Sequence, residues 1–339
     1  MKKYRDITKK ILNRYLIKAL SFMALGLFSS LIIGLILSQI SKIPGFEFIK
    51  MFTDIISAKS PVVGSSIGVA IAYGLECSPL TIFSSAATGA FGYTLGGPVG
   101  AYIASTFGAE IGELIAGKTK IDIILVPSIT IISGSLSGKF VGPYISSFMT
   151  NLGNTITIAT NLHPIPMGVI VATLMGIALT APISSAAIAI SLNMSGLAAG
   201  AATVGCCAQM IGFAVSSYRE NKFSGLISQG IGTSMLQVPN IFKNPLILIP
   251  PTLTGAILGP VSTTILKLEN IPIGAGMGTS GLVGPLCTFK AMEYSLDFKS
   301  LLFRIALLEF IAPAFLSIIF SEFMRKKGWI KFEDMKLNI

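Results

Sequence analysis

Ile124-Leu125-Val126-Pro127-Ser128-Ile129-Thr130 returns as Leu248-Ile249-Pro250-Pro251-Thr252-Leu253-Thr254. Further matches lie upstream and keep their order. Pro61-Val62-Val63-Gly64-Ser65-Ser66 is echoed by Pro182-Ile183-Ser184-Ser185, and Ala86-Ala87-Thr88 by Ala201-Ala202-Thr203. The stretch 103–108 likewise resembles 227–232. The chain thus reads as an internal duplication, with copies at about 60–142 and 181–266. Two apolar copies, each punctuated by Pro and Gly, are the pattern of a membrane transporter with internal repeats.

Composition agrees. Hydrophobic residues make up 52% and charged residues 12%, against about 25% charged in an average soluble domain. Residues 19–40 carry no charge, and about 20 apolar helical residues cross a bilayer core. A soluble globular fold is excluded on this ground. The expected fold is an all-α polytopic membrane protein of about ten transmembrane segments, some broken or re-entrant.

The net charge of +10 sits at the two ends. Lys2, Lys3, Arg5, Lys9, Lys10, Arg14 and Lys18 precede the first span, and Arg325, Lys326, Lys327, Lys331 and Lys336 follow the last. The positive-inside bias places both termini in the cytoplasm of a cell-membrane protein. Basic residues beside spans answer to topology and anionic lipid, so no nucleic-acid partner is expected. Residues 1–18 read as a basic amphipathic helix on the bilayer surface, with Tyr4, Ile7, Ile11 and Tyr15 at helical spacing. Residues 46–57 read as a second. A transmembrane domain then covers 19–324 and a cytoplasmic tail 325–339. Cys77, Cys206, Cys207 and Cys287 lie among apolar residues and read as small hydrophobes. No cofactor or metal is expected.

Beyond residue 60 the apolar segments are rich in Gly, Ala, Ser and Thr, which let membrane helices approach closely. Expected segments include 121–142, 144–160, 166–192, 195–217 and 223–240. Prolines at Pro61, Pro98, Pro127, Pro182, Pro250-Pro251 and Pro285 are expected at breaks that line a cavity or a repeat interface.

Five stretches carry candidate ligand contacts. Thr180-Ala181-Pro182-Ile183-Ser184-Ser185 interrupts a long apolar segment, and broken helices present hydroxyls, carbonyls and helix starts to a ligand. Thr180, Pro182, Ser184 and Ser185 are the first choices; Ser65 and Ser66 in the first copy are the second. Asn161-Leu162-His163-Pro164 holds the only histidine, with Asn161 and His163 as polar candidates at the mouth of a span. The run Gly274 to Gly281 contains G-x-G-x-x-G, but its proline-flanked membrane setting lacks the strand and acidic residue of a dinucleotide site. It suits a re-entrant tip whose backbone cradles an anion, with Gly276, Gly278, Thr279 and Ser280 as contacts. Glu110 and Glu113 share a helix face; Glu110 is a candidate because carboxylates in membrane segments are costly. Glu76, Glu309, Gln209, Gln229, Gln237 and Asn193 complete the polar groups able to face a cavity.

The motifs at 161–164, 180–185 and 274–285 resemble those of the phosphotransferase-system EIIC-like membrane proteins, over roughly residues 15–325. Within that family the chain is similar to the perfringolysin O regulator branch. The resemblance implies a sugar permease, commonly a homodimer, whose substrate is phosphorylated with the help of EIIA and EIIB phosphocarriers, here expected as separate chains. The glucose-type motif of this family reads Gly-Ile-Thr-Glu-Pro, its Glu contacting sugar. With Leu179-Thr180-Ala181-Pro182 as the counterpart, Ala181 takes the place of that Glu. Two functions follow: a permease for a sugar or other small polar solute in a phosphotransferase system, or a membrane sensor that regulates gene expression on a transporter scaffold. An intramembrane enzyme ranks below both, because no paired acid–base or metal set is present.

Overall fold

The computed structural model describes residues 10–11, 13–41, 44–53, 55–57, 60–160, 162–183 and 185–337. Most of the expected surface helix at 1–18 lies outside these residues. Among the described residues there is no strand; Gly196 and Asn270 form an isolated bridge. The main helices are α1 (Asn13–Ser38), α2 (Pro61–Gly74), α3 (Pro79–Ile115), α4 (Asp122–Thr160), α5 (Pro164–Thr180), α6 (Ser185–Ser191), α7 (Gly196–Ser216), α8 (Pro245–Ile265), α9 (Val283–Met292) and α10 (Phe298–Lys326). α1, α4 over Asp122–Ile145, α7, α8 and α10 are long and apolar enough to cross a bilayer, and α2 and α5 are shorter apolar helices. Large apolar side chains such as Phe83, Phe140 and Ile123 are exposed, as lipid-facing surfaces require. The protein is an all-α, multi-pass membrane protein.

Prolines mostly open helices here rather than break them. Pro61, Pro79 and Pro164 occupy the first helical turn, where a missing N–H costs nothing. Ser60 caps α2 by accepting from Val62 N. Pro127 and Pro143 lie inside α4, which continues through both. The segments expected at 121–142 and 144–160 are therefore one helix, because each proline removes a single ladder bond and long flanking turns bridge it.

The chain forms two compact units, Met1–Phe148 and Met149–Ile339. In the first, α3 is a hairpin rather than a rod. The expected break at Pro98 falls one residue earlier, where Gly97 adopts φ 58°, ψ −147°. The two arms then run back along each other: Gly92 abuts the Gly100 backbone, and Thr88 Oγ1 lies 3.4 Å from Ser105 Oγ. α4 packs into the hairpin, with Gly134 against Thr88 and Ala104. Small residues at each crossing let backbone meet backbone.

The second unit is built around α7, whose many small residues let neighbouring backbones approach closely. Gly205 meets the Ala172 carbonyl of α5, and Gly212 meets Pro251 of α8. A second bend follows at Lys222, with φ 52°, ψ −148°. Beyond it the returning arm is π-helical over Ser228–Gly232 and stops at extended Thr233. It restarts as a 3-10 turn, Ser234–Gln237, and a helical turn, Val238–Lys243. The segment expected as continuous over 223–240 is thus broken, because the Thr233 hydroxyl accepts from Met235 N and starts a new turn.

The tail closes this unit. Ile330 and Met335 are buried beside Phe213, Ile247 and Met324. Asn221 and Gln237 both donate to the Met335 carbonyl, Asn240 to that of Lys336, and Asn244 to that of Trp329.

Candidate functional site

Two interruptions of the helical backbone meet beside α7. α5 ends at Thr180, and Ala181–Ile183 form a turn before α6. The returning arm breaks at Thr233. Thr180 Oγ1 lies 2.8 Å from Ser234 Oγ and donates to Gln209 Oε1 at 3.1 Å. Gln209 Nε2 in turn donates to Thr252 Oγ1 of α8 at 2.8 Å. Thr180, Gln209 and Ser234 are buried, and Thr252 is half-buried. The cluster is uncharged and rich in hydroxyl and amide groups that both donate and accept. Such a set matches the alternating donors and acceptors of a polyol.

The glycine-rich run also reaches this region. Thr279 donates to the Gly230 carbonyl, in the π-helical turn just before Thr233. Gly278, at φ 52°, sits against the backbone of Cys206 and Cys207. Gly276 contacts the backbone at Ser185, and Ser185 Oγ donates to the Gly276 carbonyl at 2.6 Å. Ser280 Oγ is buried and has no hydrogen-bond partner. The run forms a short α-turn, Pro272–Ala275, and a 3-10 turn, Ser280–Leu282.

The structure therefore gathers Thr180, Ser185, Gly276, Gly278 and Thr279 around α7, with Pro182 in the turn that frees Thr180 from its helix. Asn161 and Ser184 lie outside the described residues. His163 is exposed at the N-cap of α5. It is one 17-residue helix away from Thr180, about 25 Å at 1.5 Å per residue, so it is not part of the Thr180 cluster. Ser65 and Ser66 belong to the first unit and line an open groove with Phe22, Phe28, Val69 and Tyr73. That groove is apolar, as a lipid-facing trough would be. Glu110 accepts from Arg14 Nε at 2.7 Å, and Glu113 accepts from the Ser78 N–H at 2.7 Å. Both carboxylates are engaged in holding helix ends.

Sequence reasoning missed Ser234 and Thr252 as partners of Thr180. Ser234 follows no proline and sits in an ordinary apolar stretch; Gly232-Thr233 was the available signal, a glycine followed by a capping residue. Among the described residues no cluster of three metal-ligating side chains occurs.

Apolar helices interrupted in pairs, as in the second unit, are the way many membrane transporters build a site. The chain belongs to the family described as Phosphotransferase system, EIIC, whose model matches residues 17–337. It is thus a permease-type membrane component of a phosphotransferase system. Comparison with curated proteins and with solved structures gives no match.

Proposed function

We propose that the chain carries a sugar or similar small polar solute, held where the α5 break meets the break at Thr233. The observation that supports this is the Thr180–Ser234–Gln209–Thr252 cluster, four uncharged hydrogen-bonding side chains from four separate segments. Each now satisfies another, so a polyol entering between them exchanges these bonds for its own at little net cost. Ser185, Gly276, Gly278, Thr279 and Ser280 form the backing wall, and Pro182 holds the turn open. The proposal includes separate EIIA and EIIB partners, a homodimer in the lipid bilayer, and both termini in the cytoplasm on account of their basic flanks.

A specific observation favours a second reading. The four side chains include no acid or base to take the proton from an attacked sugar hydroxyl, which phosphoryl transfer requires within hydrogen-bond reach. Ala181 stands where the glucose-type motif has Glu. A chain that binds solute without handing on a phosphoryl group would act as a membrane sensor. Reconstitution into proteoliposomes with phosphocarrier proteins, tested on a panel of labelled hexoses and disaccharides, separates the two. Accumulated sugar phosphate supports the permease; saturable binding without accumulation supports the sensor. Neither uptake nor binding across the panel would reject the sugar site.

A further inference from the structure

We propose that Glu309 is a proton-binding site, a carboxyl that takes up and releases one proton and reports its state to the glycine-rich loop. This inference does not depend on which solute the chain carries.

Glu309 is fully buried in α10, within the π-helical stretch Ala306–Ile311. Such π-bulges inside membrane helices re-aim side chains and gather at functional positions. Its chain neighbours Leu308 and Phe310 belong to an apolar cluster with Val204, Leu258, Leu268 and Leu301. One oxygen, Oε1, accepts from Thr288 Oγ1 at 2.7 Å; the other, Oε2, is buried with no hydrogen-bond partner. Among the described residues no cation pairs with it. Arg304, one turn earlier on α10, donates to the Leu266 carbonyl, while Lys290 on α9 and Lys267 and Glu269 in the preceding loop are exposed. Cys207 of α7 lies near enough to feel its charge, and a thiol supplies no positive charge.

An ionised carboxylate with a single hydrogen bond in such surroundings is strongly disfavoured. The neutral acid is not, since only one O–H must be lodged there. On uptake Oε2 forms an O–H bond with a proton delivered by water; on release that bond breaks and the proton returns to water, leaving both electrons on oxygen.

The hydrogen-bond chain gives the site a destination. Thr288 Oγ1 accepts from Asn270 Nδ2 at 3.0 Å, and the same nitrogen donates to Thr203 Oγ1 at 2.7 Å and to the Gly284 carbonyl at 3.2 Å. Thr203 reaches the Gly274 carbonyl, and Gly284 N donates to the Gly278 carbonyl. The glycine-rich run is thereby linked to the carboxyl at Gly274, where it begins, and at Gly278, in its middle. Thr288 already donates to Oε1, so a charge on Oε2 would draw the Asn270 amide toward it, loosening both ties.

Infrared difference spectroscopy of the full chain in lipid nanodiscs tests this directly. At pH 7 the wild type should show a protonated carboxyl band that shifts in D2O and is absent in Glu309→Gln. In Thr288→Val, which keeps Glu309, that band should move to higher frequency because its hydrogen bond is lost. A spectrum at pH 7 with no band sensitive to Glu309→Gln would overturn the proposal. If that variant fails to fold, an unmoved band in Thr288→Val overturns it instead. Loss of the band on adding sodium at constant pH would also overturn it, by making a metal cation the occupant.

Discussion

The two units bend their chains in the same way and then part company. Gly97 and Lys222 have nearly identical backbone angles, φ 58° with ψ −147° and φ 52° with ψ −148°. Each reverses a membrane hairpin. In the first unit the returning arm runs unbroken to Ile115. In the second it becomes π-helical at Ser228, six residues after Lys222, and stops at Thr233. The intact arm buries small hydroxyls against glycine and packs α4. The broken arm instead presents Ser234 to Thr180 and the Gly230 carbonyl to Thr279. One hairpin serves as scaffold, and its counterpart holds the candidate ligand contacts.

The largest effect should come from filling the contact that centres the second unit. Gly205→Leu would drive a side chain into the Ala172 backbone and cost about 3 kcal/mol or more. Limited proteolysis should show the second unit opening while the α2–α4 region stays protected. Equal loss in both units would remove the distinction between scaffold and site.

Next is the amide ladder that steadies the broken arm. Gln229 Oε1 accepts from Gln237 Nε2, and Gln237 Oε1 accepts from Asn240. Gln237→Leu leaves several buried groups without partners, at about 1–3 kcal/mol each. Hydrogen exchange over 228–243 and the tail should rise together. A tail that remained protected would show that the apolar contacts of Ile330 and Met335 suffice to hold it.

The bends themselves offer a reciprocal test. Lys222 occupies a region of backbone space that is essentially reserved for glycine and costs a side chain about 1–3 kcal/mol. Lys222→Gly should raise the thermal midpoint, and Gly97→Ala, with open space around its Cβ position, should lower it by a similar amount. Changes of the same sign would mean that the two bends are not equivalent.

The smallest effect belongs to the surface pair of Lys18 and Glu76, 2.6 Å apart. The hydrogen bond from Lys18 holds the Glu76 carboxyl below its ordinary value. A depressed carboxyl stabilises above its unfolded pKa, and the contribution fades as pH falls through the folded value. Glu76 is exposed, so solvent screens the pair. Glu76→Gln should leave the melting midpoint unchanged at neutral pH.

Much of this was legible in the sequence. The apolar runs gave the membrane class, and Pro182 with its hydroxyl neighbours marked a true break. The matches of 103–108 with 227–232 and of 124–130 with 248–254 fall at nearly the same distance after Gly97 and Lys222, the two residues with matching bend angles. The match of Ala86–Thr88 with Ala201–Thr203 does not. Thr88 precedes its bend by nine residues and Thr203 by nineteen, because runs of small residues resemble one another wherever helices pack closely. The break at Thr233 was hidden because a hydroxyl cap makes it, with no proline. The separation of His163 from Thr180 was hidden because a 17-residue helix, compact in sequence, spans the width of a small domain.

The central claim is that ligand contacts lie in the second unit's paired breaks. Binding of a labelled sugar identified from the uptake panel should be compared across Thr180→Val, Ser234→Ala and the double variant Ser65→Ala/Ser66→Ala. The account predicts that each of the first two weakens binding about tenfold, about 1.4 kcal/mol, while the first-unit variant binds like wild type. Unchanged affinity in Thr180→Val and Ser234→Ala, with loss in the first-unit variant, would contradict it.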